Sequence, residues 1–126
     1  MIECRQGFDE AAATVMESVQ SDQAPQHIQR CRDGLFWAIY HDGKPCGGIL
    51  IERNCIHVSS LRPCGHAVRR VVREYLKTHP VLFAPIRPAN ERAQRLAKGL
   101  GFAFWQQMDG FNVYRRYSNE HLIPRH

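Results

Sequence analysis

The 126 residues carry 44% apolar and 23% charged side chains, a balance that excludes an extended disordered chain and suits one compact domain. Seventeen lysines and arginines stand against twelve carboxylates, and the formal charge of +5 admits an anionic partner without naming one. No apolar run approaches the roughly 20 residues that a membrane helix needs. Five scattered cysteines (Cys4, Cys31, Cys46, Cys55 and Cys64) form no Cys-x-x-Cys pair, which points to reduced thiols in a cytoplasmic setting rather than to zinc. The opening Met-Ile-Glu-Cys lacks the charged-then-apolar order of a secretion signal.

In chain order, residues 2–7 alternate apolar and polar side chains and predict a short strand. Phe8, Ala12, Val15, Met16 and Val19 then recur at helical spacing, with Glu10 near the start where the helix dipole favours acid. Ser21-Asp22-Gln23 breaks this helix. Pro25 opens a second one that carries Ile28 and Cys31 and stops at Asp33-Gly34. Residues 35–40 predict a strand, and Asp42-Gly43 predicts a hairpin turn because both residues accept positive φ. The returning strand covers 46–51, with a bulge expected at Gly47-Gly48. Arg53-Asn54 turns the chain into a strand over 55–59, completing an expected antiparallel meander.

Next comes a glycine-containing turn, Arg62-Pro63-Cys64-Gly65-His66-Ala67, feeding a helix predicted over 65–78. The first N–H groups of a helix have no intrahelical partner and sit at the positive end of its dipole, so this turn is a candidate pyrophosphate cradle. Val68, Val71, Val72, Tyr75 and Leu76 mark the buried side of the helix. Arg69, Arg70, Arg73 and Lys77 read first as a solvated helix face, with a phosphate contact by one or two of them as the alternative. His79-Pro80 ends the helix. A strand over 81–86, a helix over 90–100 capped by Asn90, and a hairpin of 102–107 with 111–117 around Asp109-Gly110 follow. Residues 1–117 therefore read as a single domain, and 118–126 as a polar tail. The order β-α-α-β-β-β-α-β-α-β-β is mixed α/β with a central strand–helix–strand crossover.

Two motifs placed in this order resemble the GNAT superfamily of acyl-CoA-dependent N-acyltransferases. The first is the turn at Arg62, Gly65 and Ala67, which is weak alone. The second is Asn90-x-x-Ala93-x-x-Leu96 followed by Gly101-Phe102, and the two in sequence are far more specific. The resemblance implies a mostly antiparallel central sheet with flanking helices and a splayed parallel pair, residues 55–59 and 81–86. It implies acetyl-CoA as acyl donor, held at Val58, Arg62, Cys64, Gly65, His66, Ala67 and Asn90. The acceptor would be a primary amine, on a small molecule or a protein, attacked directly. Three departures stand out: Pro63 removes one donor from the cradle, the spacing from Val58 to Arg62 is one residue shorter than usual, and Ala97 occupies the position where the family often places a proton-donating tyrosine.

The attacking amine must lose a proton, and Glu52 and His57 are the candidate bases, set at the end of one strand and inside the next. Their plainer readings are a solvated turn carboxylate and a packed strand histidine. Cys64 has no histidine–acid pair tied to it by spacing and is not read as a nucleophile. Tyr114 and Tyr117 are sheet residues before they are acceptor contacts. Because the chain is also similar to small GNAT-like proteins of tailed bacteriophages, a degenerate scaffold in a virion or head assembly is the alternative function. A homo-oligomer or virion partner would accompany that reading. A nucleic-acid module rests on net charge alone, since in the sequence the basic residues do not interleave with aromatics.

Overall fold

The computed structural model describes residues 1–20 and 26–118. The expected break at Ser21-Asp22-Gln23, the helix start at Pro25 and the tail beyond Ser118 lie outside the described residues. The elements run β1 (Ile2–Gln6), α1 (Glu10–Val19), α2 (His27–Asp33), β2 (Leu35–His41), β3 (Lys44–Glu52), β4 (Cys55–Ser60), α3 (Gly65–Leu76), β5 (Val81–Ile86), α4 (Glu91–Gly99), β6 (Ala103–Met108) and β7 (Phe111–Tyr117). The strands form one seven-stranded sheet in the order β1-β2-β3-β4-β5-β7-β6. The β1–β2, β2–β3, β5–β7 and β6–β7 pairs are antiparallel, and β4–β5 is parallel. A parallel pair needs a long crossover, and α3 supplies it. The fold is the mixed α/β arrangement expected from the sequence. Internal contacts divide the chain into two compact units, Met1–Arg53 with His57–Val68 and Asn54–Ile56 with Arg69–His126.

In the first unit, α1 begins where Asp9 can cap it. The carboxylate accepts the N–H groups of Ala11 at 2.9 Å and Ala12 at 3.3 Å, and also the Tyr40 hydroxyl of β2. Phe8 therefore precedes the helix and sets its ring edge against Phe36 instead of joining the helical face. Ala12, Ala13, Met16, Cys31, Phe36, Ala38 and Leu50 form the core cluster. Asp42 and Gly43 turn the β2–β3 hairpin at φ of 50° and 79°. The bulge falls one residue before its expected place: Ile39 faces Gly47 and Tyr40 faces Pro45, so Cys46 is the extra residue.

Gly47 has a different task. A Cβ there would lie 2.2 Å from the Ser59 carbonyl oxygen and 2.6 Å from Ser60 Cα. Only a residue without a side chain allows that approach. Beside it, the Leu61 N–H donates to the Cys46 carbonyl at 2.8 Å. The end of β4 is thus pinned to the bulge of β3, and the following turn starts from a fixed point.

In the second unit, β4 joins β5 at the Cys55–Phe83 pair, reinforced by the Phe83 N–H donating to the Asn54 carbonyl at 2.7 Å. Helix α3 ends at Leu76, earlier than expected. Lys77 and Thr78 donate to carbonyls three residues back, the tightened bonds of a closing helix turn. Asn90 caps α4 as expected, its Oδ1 accepting the Ala93 N–H at 3.0 Å. A second bulge, at Trp105, interrupts the β6–β7 ladder.

Two substitutions test this geometry by chemical denaturation. Gly47→Ala should cost about 1–3 kcal/mol or more, because its new methyl meets backbone. Gly99→Ala, with open space around its Cβ, should cost nothing. Equal stability of the two variants would contradict the close approach. Asn90→Ala should cost about 1 kcal/mol by loss of the cap.

Candidate active site

The turn between β4 and α3 is built from the pinned end of β4. Ser60 Oγ accepts the Arg62 N–H at 3.3 Å and lies 3.5 Å from Cys46 Sγ. The first helical bond of α3 runs from the Val68 N–H to the Cys64 carbonyl at 3.1 Å. The N–H groups of Gly65, His66 and Ala67 precede that bond and so have no acceptor within the helix. Pro63 offers no N–H, and that of Arg62 is turned back to Ser60. Arg62 and His66 are exposed, while Cys64, Gly65, Ala67 and Val58 are half-buried. Three backbone donors, one exposed guanidinium and a helix dipole can hold an anion without any catalytic side chain. Asn90 plays its part elsewhere, with its side-chain oxygen spent on capping α4.

Glu52 and His57, chosen separately from the sequence, are neighbours. Glu52 Oε2 lies 3.8 Å from His57 Nε2, too long for a hydrogen bond but close enough for strong electrostatic coupling. The same oxygen accepts the Arg30 Nε–H at 2.8 Å and a second bond from the Arg30 guanidinium. Glu52 is therefore not a free turn carboxylate. Burial pushes its pKa up, but the Arg30 bond and the charges of Arg30, His57 and Arg53 outweigh this and hold it below the usual range.

His57 is pushed the other way from a charged state. Burial lowers its pKa first and the Arg30 charge second, the Glu52 carboxylate only partly offsetting them. Its imidazole is neutral at neutral pH and able to accept a proton. His27, 2% exposed, adds to the depression and donates its Nε2–H to the Ala13 carbonyl at 3.0 Å. Cys31 Sγ lies 3.5 Å from the same nitrogen, and burial raises its thiol pKa to about 11. That thiol is inert.

Arg30 is the residue that sequence reasoning missed. It sits one position before the apolar Cys31 on α2, and its partner lies 22 residues away on another element. No local spacing announces such a pair. Tyr114, considered for the acceptor side, is 2% exposed and donates its hydroxyl to Gln94 Oε1 at 2.8 Å.

No family profile matches the chain, and no curated protein matches it. Solved structures do share its fold. A domain from Methanocaldococcus jannaschii superposes with a TM-score of 0.70 at 16% identity, over 93% of this chain and 98% of that one. A GNAT-family acetyltransferase from Bacillus cereus gives 0.70 at 10% identity, over 94% and 98%. The N-acetyltransferase PseH of Campylobacter jejuni, solved with acetyl coenzyme A, gives 0.64 at 9% identity, over 94% and 100%. At these identities the likeness establishes the fold: this chain has the architecture of the GNAT acetyltransferases.

The charge arrangement is open to NMR titration. The His57 imidazole should titrate below its ordinary value near 6.5, and Glu52→Gln should lower it further by removing the one opposing charge. A rise in the variant would contradict the coupling. Because the folded state disfavours protonated His57, its contribution to stability is complete above about pH 6.5. It is lost as the pH falls toward the lower folded value. Urea midpoints measured between pH 7 and pH 5 should therefore fall less steeply in His57→Gln than in the parent.

Proposed function

We propose that this chain is an acyl-CoA-dependent N-acyltransferase, formed by a single domain over residues 1–117, that passes an acetyl group from acetyl-CoA directly to a primary amine. Amines on small molecules and on proteins both fit this reading. One observation carries the reading: the N–H groups of Gly65, His66 and Ala67 stand ahead of the first helical bond of α3, on a fold shared with acetyltransferases. Those donors suit a diphosphate, with the Arg62 guanidinium adding charge and Val58 and Cys64 flanking the approach.

Acetyl-CoA supplies an activated thioester, whose carbonyl carbon bonds to the amine nitrogen as the carbon–sulfur bond breaks and CoA departs as thiolate. The chain's own residues position and deprotonate. His57, neutral and poised below its ordinary pKa, takes the proton that the ammonium must lose. Glu52, locked by Arg30, stabilises the imidazolium so formed. Ala97 is 5% exposed and supplies no proton to the leaving group. A thiol of pKa about 8.5 leaves tolerably well without a side-chain acid, so binding and orientation carry much of the catalysis.

Calorimetric titration with acetyl-CoA and a CoA-release assay over a panel of amines test this reading. Gly65→Val should keep the melting temperature but weaken acetyl-CoA binding at least about ten-fold, because its side chain blocks approach to the backbone donors. His57→Gln should leave binding intact and lower kcat by about 10²- to 10⁴-fold. The alternative, a degenerate GNAT-like scaffold such as a bacteriophage head component, rests on Ala97, Pro63 and the shortened loop. Absence of acetyl-CoA binding at millimolar concentration would leave that scaffold standing and overturn the enzyme.

A further inference from the structure

The positive charge of this protein belongs to one of its two units. Met1–Arg53 with His57–Val68 carries six lysines and arginines against eight carboxylates, whereas Asn54–Ile56 with Arg69–His126 carries eleven against four. A chain with a net charge of +5 thus contains a unit with an excess of seven cations, enough to attract a polyanion.

Within that unit, sheet register gathers arginines and aromatic rings from three strands onto one face. Phe83 on β5 faces Arg115 on β7, and side chains opposite one another share a face of the sheet. Alternation along β7 puts Phe111, Val113 and Tyr117 on the face of Arg115. Trp105, at the β6 bulge, joins them: its ring centroid lies 5.3 Å from that of Phe83. The Arg115 guanidinium lies 5.0 Å from the Trp105 ring centre and 5.2 Å from that of Tyr117. Arg87, continuing β5, lies 4.2 Å from the centre of Phe111. Trp105 keeps 37% of its surface exposed. Three arginine–aromatic contacts, two of them through Arg115, thus gather on this one three-stranded face.

We propose that the β5–β7–β6 face binds single-stranded nucleic acid. Bases stack on Trp105 and Phe83, and phosphates pair with Arg115 and Arg87. Rings and guanidinium groups side by side on a partly exposed sheet face meet both needs of a strand: flat surfaces for unpaired bases and charges for its backbone. A duplex hides its base faces and would leave the rings idle. An acidic protein would match the charge without using the rings, and a second copy of this chain would set two positive faces together.

The test uses the full chain and fluorescein-labelled dT and U oligonucleotides of about 12 nucleotides, a length within the usual range for single-strand binders. Anisotropy titrations should show binding that weakens with salt. Trp105→Ala should weaken it about five-fold or more, and Trp105→Phe, which keeps a ring, should bind like the parent. Arg115→Gln should weaken binding and flatten the log–log salt slope by about 0.7. In a Trp37→Phe background the remaining Trp105 fluorescence should be quenched by the oligonucleotide, a readout that needs no substitution in the face itself. Absence of binding at low salt, absence of quenching, or parent-like binding by folded Trp105→Ala and Arg115→Gln variants would overturn the proposal. So would tighter binding of a duplex, of polyglutamate or of inorganic polyphosphate than of the single strand, each of which would reassign the face to another kind of polyanion.

Discussion

The close approach of β3 to the end of β4 is the constraint on which the candidate site depends. Gly47 brings its backbone so near Ser59 and Ser60 that a single methyl group would collide with a carbonyl oxygen. The neighbouring bulge at Cys46 frees a carbonyl for the Leu61 N–H. Together they fix where β4 stops, and Ser60 then draws in the Arg62 N–H. The chain has only Pro63 and Cys64 left before the helix begins. Backbone donors at a helix start bind anions well only when their positions are set beforehand, and here a strand-to-strand contact sets them.

A second constraint is electrostatic. One carboxylate oxygen of Glu52 serves both Arg30 and His57, by hydrogen bonds to the first and by charge alone to the second. The arginine keeps the carboxylate ionised and, from the same place, opposes protonation of the histidine. An imidazole able to accept a proton is thereby kept neutral beside a fixed negative charge. In the proposed reaction these environments give the two candidate bases different roles, His57 exchanging the proton and Glu52 supporting it.

Much of this was legible in the sequence because its signals are local. Asp42-Gly43 and Asp109-Gly110 turn the chain with positive φ, which glycine and aspartate accept readily, and Arg53-Asn54 turns it at the expected place. Asn90 caps α4 because its carboxamide reaches only three residues ahead. What escaped is non-local. Arg30 meets Glu52 across 22 residues, and Phe8 follows helical spacing yet lies outside the helix because Asp9, capped to Tyr40 of another strand, starts it later. The arginine–aromatic face of β5, β7 and β6 exists only once β7 is laid between its neighbours. Propensity and spacing describe a residue's own turn of chain, and contacts of this kind are decided by topology.

Backbone amide shifts test the central claim most directly, because they report on the donors themselves rather than on turnover. On titration of the labelled protein with acetyl-CoA, the amide resonances of Gly65, His66 and Ala67 should move furthest and together, as three hydrogen bonds form to one diphosphate. Saturating shifts centred on other segments, with these three amides unmoved, would contradict the account.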